Sequence, residues 1–453
     1  MARKLGVLPT AFSEDPRSET ALVFLTLADE LDEATAKSWL TTLGNLITSL
    51  EAPIKKTWYA SAVVALGTKF FTRFPEHGAN NPAGLASPIA LQGDPLSVDA
   101  VIHVNHTSEA VLATFLAGLW ATRPTLESIE VEHGYSRNDG RETFGQLDGL
   151  RNLTRSQRTE HTRIDLDELP EEPSWLKGGC YGAWMKIEQN VDAWANLDPA
   201  TKEQIIGRRE ADGSRTDLPA GTNPHTEGEF TDLGNPPVAS HVRKAGPRGP
   251  AHDQTLILRR GAPYVEATGG ALHRGLQFIS YQVSLDDLDV ILNQWMLNND
   301  FPSPGAGQDA LVVHGLLAFL RSCMFVVVPA DDRHPAAGYF DPAPTPGKAR
   351  KGRIHIRKKV TDAAGAPTRA ELGGIEFTLI DPGSGGVIGS PVLTNSAGRA
   401  VLPATKSGKQ VIVRETPNAR FVAQADIPID LTQRNQIVHV TNQLAPAQPP
   451  YGG

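Results

Sequence analysis

A single carboxylate set between two glycines is the first feature able to do chemistry, in Phe144-Gly145-Gln146-Leu147-Asp148-Gly149-Leu150-Arg151-Asn152. Glycine reaches backbone angles closed to other residues, so this pair suits a tight bend presenting Asp148 to a ligand. A plain surface turn has the same composition, and the motif alone does not separate the two. Four further motifs follow in order. Ile205-Ile206-Gly207-Arg208-Arg209 precedes Ala211-Asp212-Gly213, and Ser240-His241-Val242-Arg243-Lys244-Ala245-Gly246-Pro247-Arg248 comes next. Then come Ile257-Leu258-Arg259-Arg260-Gly261-Ala262-Pro263-Tyr264 and Gly275-Leu276-Gln277-Phe278-Ile279-Ser280-Tyr281-Gln282. A lone histidine in a Gly/Pro loop is by itself a solvated residue, and an arginine an ordinary ion-pair partner. His103 and His106 have metal-like spacing, but on a strand their odd offset sends them to opposite faces. His225, His252 and His273 sit in polar loops. There is no phosphate-cradling glycine loop, zinc motif or nucleophile elbow. Trp184, Trp194, Trp295, Tyr181 and Tyr281 read first as core residues.

The elements that must position these residues follow from periodicity. Thr20–Leu27, Ser61–Gly67, Ala100–His106 and Ile129–His133 read as strands, with helices over Leu31–Leu50 and Ser108–Thr122. This strand–helix–strand–strand–helix–strand order is the split pattern of a ferredoxin-like unit. A second such order runs through Gly182–Gln189, Val191–Asn196, Thr255–Arg259, Leu276–Val283, Leu285–Trp295 and Met324–Pro329. The chain therefore reads as α+β: one ferredoxin-like half over residues 1–170 and a second over 171–345. A Pro-rich basic linker follows at 346–352, then short alternating strands over 353–443 as a small all-β sandwich, and a disordered tail at 444–453.

Composition bounds the alternatives. The 453 residues carry 43 basic and 51 acidic side chains, a net charge of −8 that argues against nucleic acid or an anionic membrane as partner. Two cysteines, Cys180 and Cys323, allow one disulfide at most and exclude a disulfide scaffold or cysteine-rich zinc module. The longest apolar stretch, Leu311–Val328, is interrupted by His314, Arg321 and Ser322. It reads as a buried helix followed by a strand, and no membrane span is expected. No export signal is visible at the N-terminus, which favours the cytoplasm.

Together and in this order, the five motifs resemble the dye-decolourising (DyP-type) haem peroxidases over about residues 10–345. That family's fold is a pair of ferredoxin-like halves. The resemblance implies haem b as cofactor, with His241 as proximal iron ligand, Asp148 as distal acid–base and Arg259 as distal arginine. The adjacent Arg260 leaves open which of the two arginines takes that place. The resemblance further implies Asp309 as acceptor for the His241 ring N–H, Arg243 and Arg208 as partners of haem propionates, and Gly149 beside the cofactor. The implied activity is reduction of hydrogen peroxide and oxidation of bulky aromatic, dye-like reductants through a compound I intermediate, with an acidic optimum. Gln146-Leu147 stands where the family often has an aromatic or apolar residue between the first glycine and the aspartate. Some relatives are linked to iron release from haem (deferrochelatase-like), which is the alternative activity. A non-enzymatic surface-interaction protein is a third reading. Homo-oligomerisation and encapsulation stay open.

Beyond the linker, Gly373-Gly374-Ile375-Glu376-Phe377-Thr378-Leu379, Leu393-Thr394-Asn395-Ser396-Ala397-Gly398-Arg399 and Val411-Ile412-Val413-Arg414-Glu415-Thr416-Pro417 form a second pattern. It resembles the SpaA-like, Cna protein B-type prealbumin-like domains of Gram-positive surface proteins, which are commonly extracellular. The resemblance implies a Lys–Asn isopeptide bond promoted by a glutamate, and leaves the domain's own partner open. Strand parity puts Lys358 with Ile354 and Ile356, Glu415 with Val411 and Val413, and Asn442 with Val438 and Val440. Each thus lies on the apolar side of its strand. The competing expectation has Lys358 and Asn442 reaching solvent from strand ends.

Overall fold

The computed structural model describes residues 19–51, 60–230, 234–249, 255–329, 331, 333–342, 351–362, 372–406, 409–431 and 435–445. His252, most of the linker (346–350) and the tail from residue 446 lie outside them.

The first half contains β1 (Glu19–Leu27), α1 (Glu33–Glu51), β2 (Ala60–Gly67), β3 (Ala100–His106), α2 (Glu109–Ala121) and β4 (Leu126–Tyr135). α1 buries Ala36, Trp39, Leu40, Leu43, Ile47 and Leu50, the three-and-four spacing of one helical face. Alternation splits β1 between two cores. Ala21, Val23 and Leu25 meet α1 and α2, while Leu22 and Phe24 point the other way. The second half contributes β5 (Cys180–Gln189), α3 (His241–Ala245), β6 (Leu258–Arg259), β7 (Ala262–Thr268) and β8 (Ala271–Gln282). α4 (Leu285–Asp289) then runs into a π-helical segment, Val290–Met296, and β9 (Leu317–Val327) closes the half.

The strands form one sheet in the order β4-β1-β3-β2-β9-β5-β8-β6, with β7 hairpinned onto β8. Each half has its fourth strand first, then its first, third and second, all antiparallel within the half. That is the ferredoxin-like order, and the halves join where β2 meets β9. Leu22, Phe24 and Val101 of the first half pack against Trp184, Ile279, Tyr281 and Phe325 of the second.

The stretch Leu311–Val328 is a helix followed by a strand, as its pattern suggested, but the helix is a single turn, Ala310–Val313. The chain turns at Gly315 with φ +63°, and the strand begins at Leu317 rather than Met324. A register shift between Phe319 and Arg321 reverses the strand's parity. Leu317 and Phe319 consequently face one side, and Cys323, Phe325 and Val327 the other, although all five numbers are odd. Mixed facing of this kind blurs the period by which a strand is recognised. Cys180 and Cys323 are buried and free. Among the described residues no helix is long and apolar enough to cross a membrane.

The C-terminal module has β10 (Lys351–Thr361), β11 (Glu376–Ile380), β12 (Val392–Leu393), β13 (Arg399–Val401), β14 (Thr405–Lys406), β15 (Gln410–Glu415), β16 (Ile427–Asp430) and β17 (Asn435–Gln443). β10 pairs with β13 and β14 and, in parallel, with β17; a second sheet runs β12-β11-β15-β16. Ile354, Ile356 and Val440 of one sheet and Phe377, Leu379 and Val413 of the other share one core.

Candidate functional site

A cavity of about 350 Å³ lies on the outer face of the second half. Alternation supplies its apolar wall: Met185 and Ile187 on β5, Leu276 and Phe278 on β8, Leu317 and Phe319 on β9, completed by Leu292 of the π-helical segment. Asp148, Arg208, His241 and Arg259 open onto the same space, so residues more than a hundred positions apart in the chain converge there.

His241 is the first helical residue of α3. Its Nδ1 lies 2.8 Å from Oδ2 of Asp309, which is wholly buried. Asp309 is fixed in turn: Oδ1 accepts the Leu311 N–H at 3.0 Å and its own N–H donates to the Met296 carbonyl at 2.8 Å. The Ala310 N–H donates to the Ala239 carbonyl at 2.8 Å, which ties this loop to the start of the histidine helix. An ionised carboxylate can only accept, so in the neutral ring the proton sits on Nδ1 and Nε2 is left with its lone pair. The His241 side chain is one-third exposed and lines the cavity.

A second part of the cavity lining comes from the loop Gly140–Asn152. Gly145 has φ +86° and Gly149 φ +72°, the left-handed bend that the motif required. Asp148 is exposed at the bend; its N–H donates to the Gly140 carbonyl, and its Oδ1 accepts the Gly149 N–H at 2.6 Å. Glu142 organises the turn from beneath, accepting the Phe144 and Gln146 N–H groups at 3.0 Å and Nε2 of Gln189 at 2.8 Å. Burial pushes the Glu142 carboxyl above its ordinary range, and those three donors pull it back. Gln146 is buried, and Leu147 packs with Leu150 around Gly213.

Asn152 stitches this loop to β6. Its Nδ2 donates to the Arg259 carbonyl at 2.8 Å, and its Oδ1 accepts the Arg259 N–H at 3.1 Å. Nη2 of Arg259 donates to the Leu150 carbonyl at 2.7 Å. Burial lowers the Arg259 pKa, with the Asp148 charge opposing and Arg208 reinforcing; the guanidinium stays cationic. Its neighbour Arg260 also lines the cavity, and its charge acts on His103 and Tyr281, whereas the charge that Arg259 feels from the loop is that of Asp148. The electrostatic neighbour of Asp148 is therefore Arg259.

The other arginines divide. Arg208 is buried on Glu227, at 2.6 and 3.0 Å, and lines the cavity. Arg248 shares the same carboxylate at 3.2 Å and also lines the cavity. Two cations on one anion leave positive charge in surplus at this end. Arg243 differs from expectation: it packs over the Phe230 ring, 4.6 Å from its centroid, and is not among the cavity-lining residues. Arg151 (φ +60°) and Arg248 (φ +70°) are two of three non-glycine residues with positive φ among those described, and both line the cavity. Strain of this kind gathers where side chains are held for function.

Asn152, Glu142 and Arg248 were not singled out by sequence reasoning. Asn152 lies four residues after Asp148 in the same motif, and Arg248 in a Pro-Arg-Gly turn. The aromatic residues are core: Trp184 donates to Gln277, Trp194 to the Phe144 carbonyl behind the loop, and Tyr281 bonds His103.

Residues 139–331, from this loop through β9, match the family model "Dyp-type peroxidase, C-terminal". This part of the chain is similar to the C-terminal region of the Dyp-type peroxidases. Among curated relatives, "Deferrochelatase" of Shigella sonnei is 28% identical over 233 residues, covering 48% of this chain and 51% of that protein. "Dye-decolorizing peroxidase msp1" of Mycetinis scorodonius is 25% identical over 279 residues, covering 48% and 54%. The chain thus spans about half the length of the curated relatives it matches. Among solved structures, a DyP-type peroxidase from Streptomyces coelicolor shares 19% identity at a TM-score of 0.60, covering 73% of this chain and 94% of that one. Ferric DtpA from Streptomyces lividans shares 20% at 0.58, covering 70% and 90%. These structures establish the common fold. Dyp-type peroxidases bind haem, and the cavity suits it: apolar walls for the macrocycle, surplus cations for its carboxylates, and a histidine in the lining whose Nδ1 is already engaged by Asp309.

The C-terminal module has its own polar cluster. Nζ of Lys358 donates to Oε2 of Glu415 at 2.7 Å, and Nδ2 of Asn442 to Oε1 at 2.6 Å. Lys358, Glu415 and Asn442 are all buried, so the solvent-exposed alternative does not hold. Burial lowers the Lys358 pKa, and Glu415 opposes that.

Proposed function

We propose that the protein is a haem-dependent peroxidase that reduces hydrogen peroxide and oxidises bulky aromatic donors. The observation that carries this reading is the convergence of the His241–Asp309 pair and the Asp148–Arg259 pair on one apolar cavity. Haem b would supply the iron at which peroxide is reduced. His241 Nε2 would hold that iron, Asp309 would strengthen the imidazole as a donor, and Arg208 and Arg248 would meet the propionates. Asp148 would take a proton from the nearer peroxide oxygen and return it to the farther one. Arg259 would stabilise negative charge on the departing oxygen. Exclusion of bulk water by the apolar wall would strengthen both effects.

The likeness to deferrochelatases supports a second reading, release of iron from bound haem. Peroxide-driven oxidation of an anthraquinone dye, followed alongside free iron, separates the two. Dye turnover with the iron retained is the expected result. Iron loss without dye turnover would overturn the peroxidase reading.

We also propose that the C-terminal module is a SpaA-like domain closed by an isopeptide bond. Lys358 Nζ would attack Asn442 Cγ, forming an amide as the bond to Nδ2 breaks and ammonia leaves. Glu415, which holds both Lys358 Nζ and Asn442 Nδ2, would carry the proton from the attacking amine to the departing nitrogen. The box around Nζ, with the Phe377 and Phe421 ring centroids 5.4 and 5.0 Å away, disfavours the charged amine by excluding water.

A further inference from the structure

Two arginines of the C-terminal module stand side by side for no reason internal to that module. Arg357 on β10 and Arg399 on β13 are direct cross-strand partners. Like charges so placed repel unless each finds an anion. Both find one on the peroxidase-like core. Arg357 forks onto Glu171, with Nε at 2.9 Å and Nη2 at 2.7 Å from Oε1, and Nη2 also donates to the Glu168 carbonyl at 3.2 Å. Arg399 binds Asp287 and lies 3.7 Å from Asp286. Neither arginine is an exposed surface pair: their side chains are 12% and 11% accessible, and Asp287 is buried. Arg357 faces outward to the core while the next residue, Lys358, faces inward to Glu415, as strand alternation requires.

Asp287 sits on α4, which continues without a break into the π-helical segment Val290–Met296. Leu288, Ile291, Leu292 and Met296 of this rod line the cavity. Its far end is fastened to the histidine helix: Lys244 Nζ donates to the carbonyls of Asn298 (2.7 Å), Trp295 (3.4 Å) and Phe301. The Met296 carbonyl also accepts from Asp309. π-Helical turns are wound less favourably than α-helix and persist where their surroundings hold them.

We infer that the acidic face formed by Glu171, Asp286 and Asp287 is the docking surface for the module's Arg357–Arg399 pair, and that docking stiffens the rod that forms the wall behind His241. The module is then a brace on the cofactor cavity as well as an appended domain. The docking contact stands independently of the haem reading, and only its effect on haem retention rests on that reading.

Hydrogen exchange on the full-length, haem-free chain tests the brace directly. In Arg357→Ala/Arg399→Ala, amides over 285–296 are expected to exchange about tenfold faster than in the parent. The charge swap Asp287→Arg/Arg399→Asp is expected to restore slow exchange where either single change does not. Unchanged exchange over 285–296 in the double variant, or no rescue by the swap, would overturn the inference. Haem transfer to apomyoglobin gives the second readout, expected to be about tenfold faster in the double variant. If exchange responds as stated but the parent chain binds no haem, the brace stands and the haem reading falls. If exchange responds and haem transfer does not, the coupling to the cofactor wall is wrong.

Discussion

At the scale of single residues, the site depends on groups whose partners decide their roles. Asp148 is exposed at its bend with Arg259 close by, an arrangement for moving a proton beside a fixed cation. Asp148→Asn and Arg259→Leu are expected to cut peroxide-dependent dye oxidation by about 10²–10⁴-fold while leaving haem binding intact. Wild-type turnover in either variant would contradict the assignment. A different titration limits stability. His103 is buried between Thr20 and Tyr281, and burial with the nearby Arg260 holds its pKa down at about 3. In the unfolded chain the ring takes a proton near the ordinary pH of about 6.5. The unfolded state therefore binds the extra proton between those values, so stability is complete above about pH 6.5 and falls as pH drops toward 3. His103→Gln, which does not titrate, is expected to lose less melting temperature on going from pH 7 to 5 than the parent. An equal loss would show that other groups set the acid limb.

At the scale of elements, much was legible because local period and local structure agree. β3 begins and ends where alternation put it, and α1 buries the residues its spacing selects. β9 was not legible as one strand, because its register shift mixes the two faces. The Asp148 loop was legible as a bend but not as a clamp, since the clamp is made with Arg259, 107 residues away from Asn152 in sequence. Losing both Asn152 bonds frees the loop without touching the cofactor ligand. Asn152→Ala is expected to keep the haem spectrum and lower peroxide turnover about tenfold, the penalty of a misplaced catalytic group. Unchanged turnover would make the clamp merely structural. Parity did place Lys358, Glu415 and Asn442 on one interior, because strand alternation carries over long distances. Intact-mass measurement of the folded chain is expected to show a deficit of one ammonia, absent in Glu415→Ala; a full mass in the parent chain would exclude the crosslink.

At the scale of the whole molecule, two ferredoxin-like halves share one sheet, and one of them carries the cavity on its outer face. The sequence pattern implied the halves, but the contact between Arg399 and Asp287 has no local signature, since an exposed-looking arginine on a short strand is ordinary. Its meaning comes only from where the third module sits. The two cysteines are free, and the covalent closure proposed for the C-terminal module is the Lys358–Asn442 bond. The central claim is that these distant residues build a haem peroxidase site around His241, and haem titration followed by its Soret absorbance tests it most directly. The account predicts a saturable Soret band in the parent chain and in Asp148→Asn, lost in His241→Ala, with peroxide turnover falling in Asp148→Asn alone among the two that bind. A Soret band of equal strength and position in His241→Ala would contradict it.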